Sequence, residues 1–241
     1  MNLDLAGAWA ALVHSPLLGI ALTLGAYHVS RELWRRTNGH SLVNPVLVAM
    51  AIVAAVLLGL QISYDDYFLG AQYISFLLGP ATVALAVPLH RQAANIRATA
   101  RPILAVVLVG SVTAIVVALA VTTALGGDRS LALSMAPKSV TTPVAIALAQ
   151  MTGGVPALAA VFTILTGVLG AVAAPAVLTL VRIRDRRIRG LAIGMSSHGI
   201  GTSRAFHEDP VTGAFSALAM ALNAVATAVA LPLILAASLW W

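Results

Sequence analysis

The chain has 241 residues, of which 60% are hydrophobic and only 9% are charged. A soluble domain carries about a quarter charged residues, so the composition excludes that class. The formal charge of +6 does not indicate a nucleic-acid partner, because most of the arginines lie in three short segments. The absence of cysteine excludes disulfides and thiolate metal sites. The histidines are widely spaced, so we expect neither zinc nor a cofactor.

Long runs without a charged residue dominate the sequence. Each exceeds the roughly 20 residues that an α-helix needs to cross a bilayer core, whereas a β-barrel would show short alternating segments. The chain is therefore predicted to be an all-α, polytopic membrane protein with a single membrane domain over 1–241. The runs are 5–30, 37–64, 67–90, 102–127, 139–181 and 210–241.

Eleven of the thirteen arginines lie in three short segments, 31–36, 91–101 and 182–189. Such clustering marks cytoplasmic loops. With these loops inside, the chain makes six full spans, which are 15–33, 42–62, 73–90, 102–125, 155–181 and 211–238. Residues 63–72, with Asp65 and Asp66, are predicted to form an outer loop. Asn44 opens the second span, either as a helix cap or as a cavity-lining residue.

The segment 131–153 does not fit as a simple span. The span at 155–181 ends at the largest arginine cluster, so it starts outside, and 131–153 then begins and ends on the outer side. We predict a re-entrant segment that turns between Pro137 and Pro143, since proline lacks a backbone donor and bends the chain.

A second interrupted element is predicted at 190–207. Its sequence is polar and contains Gly194, Gly199 and Gly201, which allow breaks or close backbone approach. If this element crosses the membrane fully instead, the C-terminus moves to the cytoplasmic side. Gly190 and Gly194 also have the GxxxG spacing that brings helices together without a ligand.

Two stretches resemble each other: "GPATVALAVPL" (79–89) and "APKSVTTPVAIAL" (136–148). Each has a proline, a hydroxyl-bearing stretch and an Ala/Val-rich segment, with Pro80 and Thr82 in the first. Paired interrupted segments point to a transporter site at the bilayer midplane, although these residue types are common in membrane helices. The predicted organisation is a peripheral first span (1–40), a first half (41–125) with a broken helix at 77–90, and a second half (131–241) with broken elements at 131–153 and 190–207. The two halves are candidates for an inverted repeat.

Lys138 is the only lysine in the chain and lies inside an apolar run. A helix that starts near Ser139 or Thr142, with Thr141 between them, would add about half a unit of positive charge from its N-terminus. Lysine and helix end together predict an anion site. The alternative is that Lys138 extends to the membrane interface, but a lone intramembrane cation costs roughly 3 kcal/mol and favours function.

The stretch "GMSSHGIGTS" (194–203) is predicted to form the opposite wall of the site. Ser197 and Thr202 would donate hydrogen bonds, and His198 can titrate near neutral pH. Adjacent serine and histidine or lysine residues do not face each other on a helix, and no orienting carboxylate is evident. We therefore expect a protein that is not an enzyme.

The motifs "LLGPATVALAVPL", "APKSVTTPVAIALAQMTGG" and "GLAIGMSSHGIGTSRAFHED" closely resemble the LrgB/CidB family. The family includes antiholin-like bacterial proteins and the LrgB-like portion of the plastid glycolate/glycerate transporter. The resemblance runs from about Asn44 onward. It implies a multi-pass protein of the bacterial inner membrane that works beside a small LrgA-like partner.

The resemblance and the residues together favour a secondary transporter of small monocarboxylates such as glycolate, glycerate, pyruvate or lactate, with possible proton coupling. The alternative is an antiholin-like regulator of murein hydrolase export and cell lysis that acts with an LrgA-like partner. A homodimer is expected in either case.

Overall fold

The computed structural model describes residues 5–37, 39 and 43–237, without the side chains of Leu5, Ala6, Ala8, Ala10 and Thr82. All regular elements in this part of the chain are α-helices, as predicted. They are α1 (Leu5–Val13), α2 (Pro16–Arg36), α3 (Pro45–Gly59), α4 (Tyr64–Phe76), α5 (Leu78–Ala84), α6 (Ala86–Arg91), α7 (Ala93–Ala98), α8 (Ala100–Ala124), α9 (Arg129–Met135), α10 (Thr142–Thr152), α11 (Pro156–Leu180), α12 (Arg186–Glu208) and α13 (Pro210–Ala237).

Four helical stretches in the described residues are long and apolar enough to cross a membrane, which makes this a multi-pass membrane protein. They are Tyr64–Arg91, Ala100–Ala124, Pro156–Leu180 and Pro210–Ala237. The other two predicted spans correspond to α2 and α3, which are not among these four. Helix α3 has only 15 residues, fewer than the roughly 20 that cross a bilayer core perpendicularly.

Local sequence signals start several helices. Ser15 caps α2 by accepting a hydrogen bond from Leu17 N, and Pro16 follows at the first helical position. Asn44 and Pro45 repeat this arrangement at α3, and Pro156 opens α11. Proline suits this position because its missing N–H would be unpaired in any case.

The chain divides into two compact units, Met1–Ala84 and Leu85–Trp241. The boundary lies inside the segment 77–90, where the sequence predicts a broken helix, and the helix is interrupted there at Leu77 and Leu85. In the first unit, α2 and α4 approach at backbone distance through Gly19 and Gly70. A Cβ on either glycine would overlap a backbone carbonyl oxygen of the other helix.

The prediction of an outer loop at 63–72 is wrong, because these residues form most of α4. The Ser63 hydroxyl caps the helix by accepting from Asp66 N at 3.1 Å. Asp65 and Asp66 lie in its first turn, where negative charge is favourable against the helix dipole. An acidic pair is typical of a loop but equally of the first turn of a helix.

The second unit has a scaffold of three long helices, α8, α11 and α13. One apolar cluster joins Ile115 and Leu119 of α8 to Leu133, Leu148 and Leu231. A second joins α8 and α12 to α13 around Phe215, which is fully buried. Between these long helices the chain 129–155 and the chain 186–209 each double back on themselves.

Candidate functional site

The first reversal involves α9, α10 and the six residues between them. Val155 N–H donates to Ser134 Oγ at 2.7 Å although 21 residues separate the two. Helix α10 has 11 residues, which is about 16 Å, so residues 136–141 extend away from Ser134 and α10 returns. We call residues 129–155 hairpin 1, the Ser134–Val155 contact its mouth, and residues 136–141 its tip.

The tip of hairpin 1 is the break predicted between Pro137 and Pro143. Two short turns form it, with Lys138 N donating to Met135 O and Val140 N donating to Pro137 O, both at 3.1 Å. Helix α10 then begins at Thr142, within the predicted range. Thr141 is its N-cap residue, yet the Thr141 side chain makes no capping hydrogen bond. The first amides of α10 therefore lack a side-chain acceptor from their own cap.

The second reversal lies within α12. His198 has φ 40° and ψ −132°, a conformation costly for a residue with a Cβ. Arg189 Nη2 lies 3.0 Å from Glu208 Oε1, and Arg186 Nη1 lies 3.0 Å from Asp209 Oδ2. A straight helix would separate residues 19 positions apart by about 28 Å. The two arms are therefore folded together, and we call residues 186–209 hairpin 2, these ion pairs its mouth, and residues 195–199 its tip.

The break in hairpin 2 lies at His198 rather than at Gly194, Gly199 or Gly201, where the sequence analysis placed it. Gly190 and Gly194 serve packing, as their spacing indicated. A Cβ on either would overlap the backbone oxygen of Thr212 or Ser216 in α13. The first arm of hairpin 2 is thereby held against α13.

The two hairpins open at opposite ends of α11. Val155, at the mouth of hairpin 1, immediately precedes α11, while Arg189, at the mouth of hairpin 2, donates to the Pro175 and Ile183 carbonyls at 3.4 and 3.1 Å near the other end. Helix α11 has 25 residues, about 37 Å. The two tips consequently point toward each other from opposite ends of the scaffold.

Asn223 of α13 joins both tips. Its side-chain nitrogen donates to Ser139 O at 2.9 Å and to Met195 O at 3.4 Å, and its oxygen accepts from Ser111 Oγ at 2.6 Å. Asn223 is only 1% exposed. Thirteen residues of α13 precede it and 14 follow it, so the tips meet at mid-length of the scaffold.

His198 is held against α11. Its Nε2 lies 2.9 Å from Thr163 O. A carbonyl only accepts, so Nε2 carries the proton and Nδ1 is the acceptor when the ring is neutral. The Thr163 hydroxyl is buried and has no hydrogen-bond partner among the described residues. An unsatisfied buried hydroxyl, here on the residue whose carbonyl binds His198, is the kind of group that a polar ligand or water satisfies.

The predicted hydroxyls of hairpin 2 are engaged within the protein. The Thr202 hydroxyl donates to His198 O at 2.7 Å and lies 2.9 Å from Ser216 Oγ. Ser197 Oγ lies 3.0 Å from Ser196 Oγ. Both Ser197 and Thr202 are buried, so they fix the geometry of the tip around His198.

Lys138 is half-buried. In the described part of the chain, no carboxylate lies within ion-pairing distance of its ammonium group. It precedes Ser139, whose carbonyl is bound by Asn223. The arrangement thus offers an uncompensated positive charge one residue from the junction of the two tips.

The remaining predicted residues lie in the first unit. The Asn44 side chain accepts from Val46 N at 2.9 Å and from Leu47 N at 3.4 Å, so it caps α3. Pro80 and Thr82 lie in α5, and the side chain of Thr82 falls outside the described residues. Of the predicted set, the structure therefore brings together the residues of the two hairpins.

Sequence reasoning missed Asn223, Ser111 and two glycines of α11. A Cβ on Gly167 would overlap the His198 ring, and one on Gly170 would overlap Ser197 Oγ. Asn223 did carry a signal, because it is the only side-chain amide in the charge-free run 210–241, and polar groups are costly there. The two glycines of α11 carried no such signal in the sequence, since glycine is common in membrane helices.

The chain is similar to proteins of one family over nearly its whole length. The model of the LrgB-like family matches residues 23–237. Two relatives from Bacillus subtilis (strain 168) are the uncharacterized protein YxaC, 40% identical over 86% of this chain and 89% of its own length, and the uncharacterized protein YwbG, 36% identical over 91% and 97%.

A third relative is the antiholin-like protein LrgB of Bacillus mycoides (strain KBAB4), which is 30% identical over 91% of this chain and 95% of its own length. No solved structure matches. The chain belongs to the LrgB-like family.

Proposed function

We propose that this protein is a secondary transporter of small monocarboxylates, of the glycolate, glycerate, pyruvate or lactate class, in the bacterial inner membrane. The observation that carries the proposal is the meeting of two oppositely directed hairpin tips at Asn223, midway along the scaffold helices. Interrupted helices at membrane depth are tolerated only where protein or an aqueous cavity satisfies their backbone. Such breaks at mid-membrane form the sites of many transporters.

The substrate carboxylate binds at the tip of hairpin 1. Lys138 supplies a full positive charge. The start of α10, whose cap residue Thr141 makes no side-chain bond, supplies the backbone N–H groups of Thr142 and Val144 and the partial charge of the helix end. Ser139 and Thr142 flank these groups. Binding an anion there compensates the roughly 3 kcal/mol that an unpaired intramembrane cation costs.

His198 contributes from the tip of hairpin 2. Its Nε2 is committed to Thr163 O, so Nδ1 is the atom that contacts the substrate or carries a coupled proton. Thr202 and Ser197 keep the ring in place, and the unpaired hydroxyl of Thr163 can hydrogen-bond to a hydroxyl or keto group of the substrate. The role involves no bond-making step, so the protein acts as a carrier rather than an enzyme.

Transport follows from movement of the hairpins against α8, α11 and α13. The two hairpins enter the bilayer as re-entrant segments from opposite sides, with the arginine-rich mouth of hairpin 2 in the cytoplasm according to the positive-inside rule. Opening one mouth at a time would give the site alternating access.

Uptake of labelled glycolate into proteoliposomes tests the proposal. Lys138→Gln is expected to reduce uptake at least about 30-fold, since a charge-assisted contact contributes about 2 kcal/mol or more. Arg97→Gln removes one exposed positive charge outside both hairpins and is the matched control, with uptake unchanged. Equal uptake by wild type and Lys138→Gln would contradict the proposal.

A second candidate function is favoured by the relatives named antiholin-like protein LrgB. In this alternative the chain regulates murein hydrolase export and lysis through assembly with an LrgA-like partner or with a second copy of itself. It predicts that a lysis phenotype survives Lys138→Gln while substitutions on the lipid-facing helix surfaces abolish it. Direct uptake separates the two functions, because altered carboxylate transport can itself change lysis.

A further inference from the structure

A cavity of about 330 Å³ lies at the mouth of hairpin 2. It is bordered by the end of α11, the beginning and end of α12 and the first turn of α13. The residues that bear on its chemistry are Thr179, Arg184, Arg186, Arg189, Glu208 and Thr212.

Arg189 and Glu208 line this cavity and form a two-pronged ion pair. Arg189 Nη2 lies 3.0 Å from Glu208 Oε1, and Arg189 Nε lies 3.3 Å from Glu208 Oε2. The side chains are only 15% and 18% exposed. This fork geometry is the one in which a guanidinium recognises a free carboxylate. Arg189 Nη1 donates to Ile183 O at 3.1 Å, so the guanidinium stays in place when its carboxylate partner changes.

The cavity carries more positive than negative charge. Its lining has three guanidinium groups, of Arg184, Arg186 and Arg189, against the two carboxylates of Glu208 and Asp209. Arg184 is exposed and has no ion-pair partner in the described part of the chain. One further carboxylate would therefore balance the charge of the lining.

We propose that the cavity is a second carboxylate-binding site, in which Arg189 receives the substrate and Glu208 occupies its place when the site is empty. The inference rests on the proposed transport function and identifies the site that faces the arginine-rich side of the membrane. An arriving monocarboxylate displaces Glu208 from Arg189, with Arg184 as the additional cation.

The exchange also opens the mouth of hairpin 2. Arg189 lies in the first arm and Glu208 in the second, so their ion pair holds the arms together. Once the substrate occupies Arg189, the other ion pair between the two arms in the described part of the chain is that of Arg186 and Asp209, in which Arg186 is 67% exposed. An exposed pair of this kind contributes little. Binding of the substrate to Arg189 and opening of the mouth of hairpin 2 are thus the same event.

The absence of cysteine gives a clean test with a single reporter, Thr212→Cys, at a cavity-lining position only 1% exposed. Its reaction with a membrane-impermeant maleimide is timed in inside-out vesicles. Glycolate is expected to raise the rate several-fold, and adding Glu208→Gln to raise it about tenfold without glycolate, because loss of one partner of a partly buried pair releases the other. Asp209→Asn is the matched control, with a much smaller effect.

A charge swap, Arg189→Glu with Glu208→Arg, guards against misfolding of the single variant, and it should restore slow labelling. A rate that is indifferent both to glycolate and to Glu208→Gln would overturn the inference. If glycolate does not change the rate of labelling while Lys138-dependent uptake persists, the second site is wrong and the transport function stands. If Glu208→Gln and glycolate both accelerate labelling but no uptake occurs, the site stands and transport fails.

Discussion

The two hairpins are alike at their tips and unlike at their mouths. Both tips present a backbone carbonyl, of Ser139 and of Met195, to the same Asn223 side chain. The mouth of hairpin 1 is closed by a neutral hydrogen bond between Ser134 and Val155, whereas two ion pairs close the mouth of hairpin 2. In the proposed transport cycle, the shared centre would couple the hairpins, and the different mouths would let the two sides respond to different chemical signals.

The tips also reverse the chain by different means. Hairpin 1 uses six residues with Pro137 at its second position and a new helix start at Thr142, which leaves room for the Lys138 charge. Hairpin 2 turns at the single residue His198, whose φ is positive. An open turn suits a binding site for an anion, and a tight turn suits a rigid support for one ring.

Replacing the shared centre should give the largest effect. Asn223→Leu removes the donor to both tip carbonyls and the acceptor for Ser111, and leaves buried groups unpaired. The free energy of unfolding is expected to fall by about 2–4 kcal/mol, measured by denaturant unfolding in detergent, with loss of uptake. Stability and uptake equal to those of the wild type would show that Asn223 does not couple the hairpins.

The second-largest effect is expected from a substitution that disturbs the packing of α11 against the tip of hairpin 2. Gly170→Ala places a methyl group against Ser197 Oγ, and the resulting displacement of the tip is expected to cost about 1–3 kcal/mol. Gly25→Ala in α2 is the control, since a Cβ there meets no atom within 4 Å and alanine favours the helix. If both variants unfold at the same temperature, α11 does not hold this tip closely.

The neutral mouth of hairpin 1 should give a smaller and salt-independent effect. Ser134→Ala removes the acceptor for Val155 N and is expected to cost about 1 kcal/mol. Repeating the thermal unfolding of wild type and variant between low and high salt should leave this difference unchanged, because no charge is involved. A difference that shrinks with salt would contradict the contrast between the mouths.

The smallest effect concerns the loop that leads into hairpin 2. The hydrogen bonds from the Arg187 guanidinium and from its backbone N–H lower the pKa of the Asp185 carboxyl from 3.8 to about 2. A lowered pKa stabilises the folded state above about pH 4, and this contribution disappears as the pH falls toward 2. Solvent screening keeps it under about 1 kcal/mol.

Asp185→Asn retains a capping side chain at α12 and removes only the charge. Its unfolding temperature is expected to lie slightly below that of the wild type at pH 6, and to converge with it as the pH approaches 2. A constant difference across this range would show that the carboxylate charge is not responsible.

The break and the helix start of hairpin 1 were predictable from the sequence, because their signals are local. Two prolines and three hydroxyl residues around Lys138 mark a break and a new helix within one short segment. The sequence predicted the break in hairpin 2 at its glycines. The observed break lies at His198, whose conformation depends on contacts from α11 and α13. Thr163 O, Gly167 and Gly170 make that conformation possible, and they are remote in sequence. The four helical stretches that qualify as spans were also predictable from local hydropathy. Asp65 and Asp66 gave a wrong prediction, because acidic residues are typical of both loops and helix starts.

Calorimetric titration of glycolate onto the purified protein tests most directly whether the joined tips form one anion site. The wild type is expected to bind glycolate at the tips, and both Lys138→Gln and Asn223→Leu to weaken that binding by at least about tenfold, with Arg97→Gln unchanged. An isotherm of Lys138→Gln that equals the wild-type isotherm in every binding step would contradict the account, because the tips would then hold the carboxylate without the one cation that they provide. Binding at Arg189 alone is expected to remain in this variant.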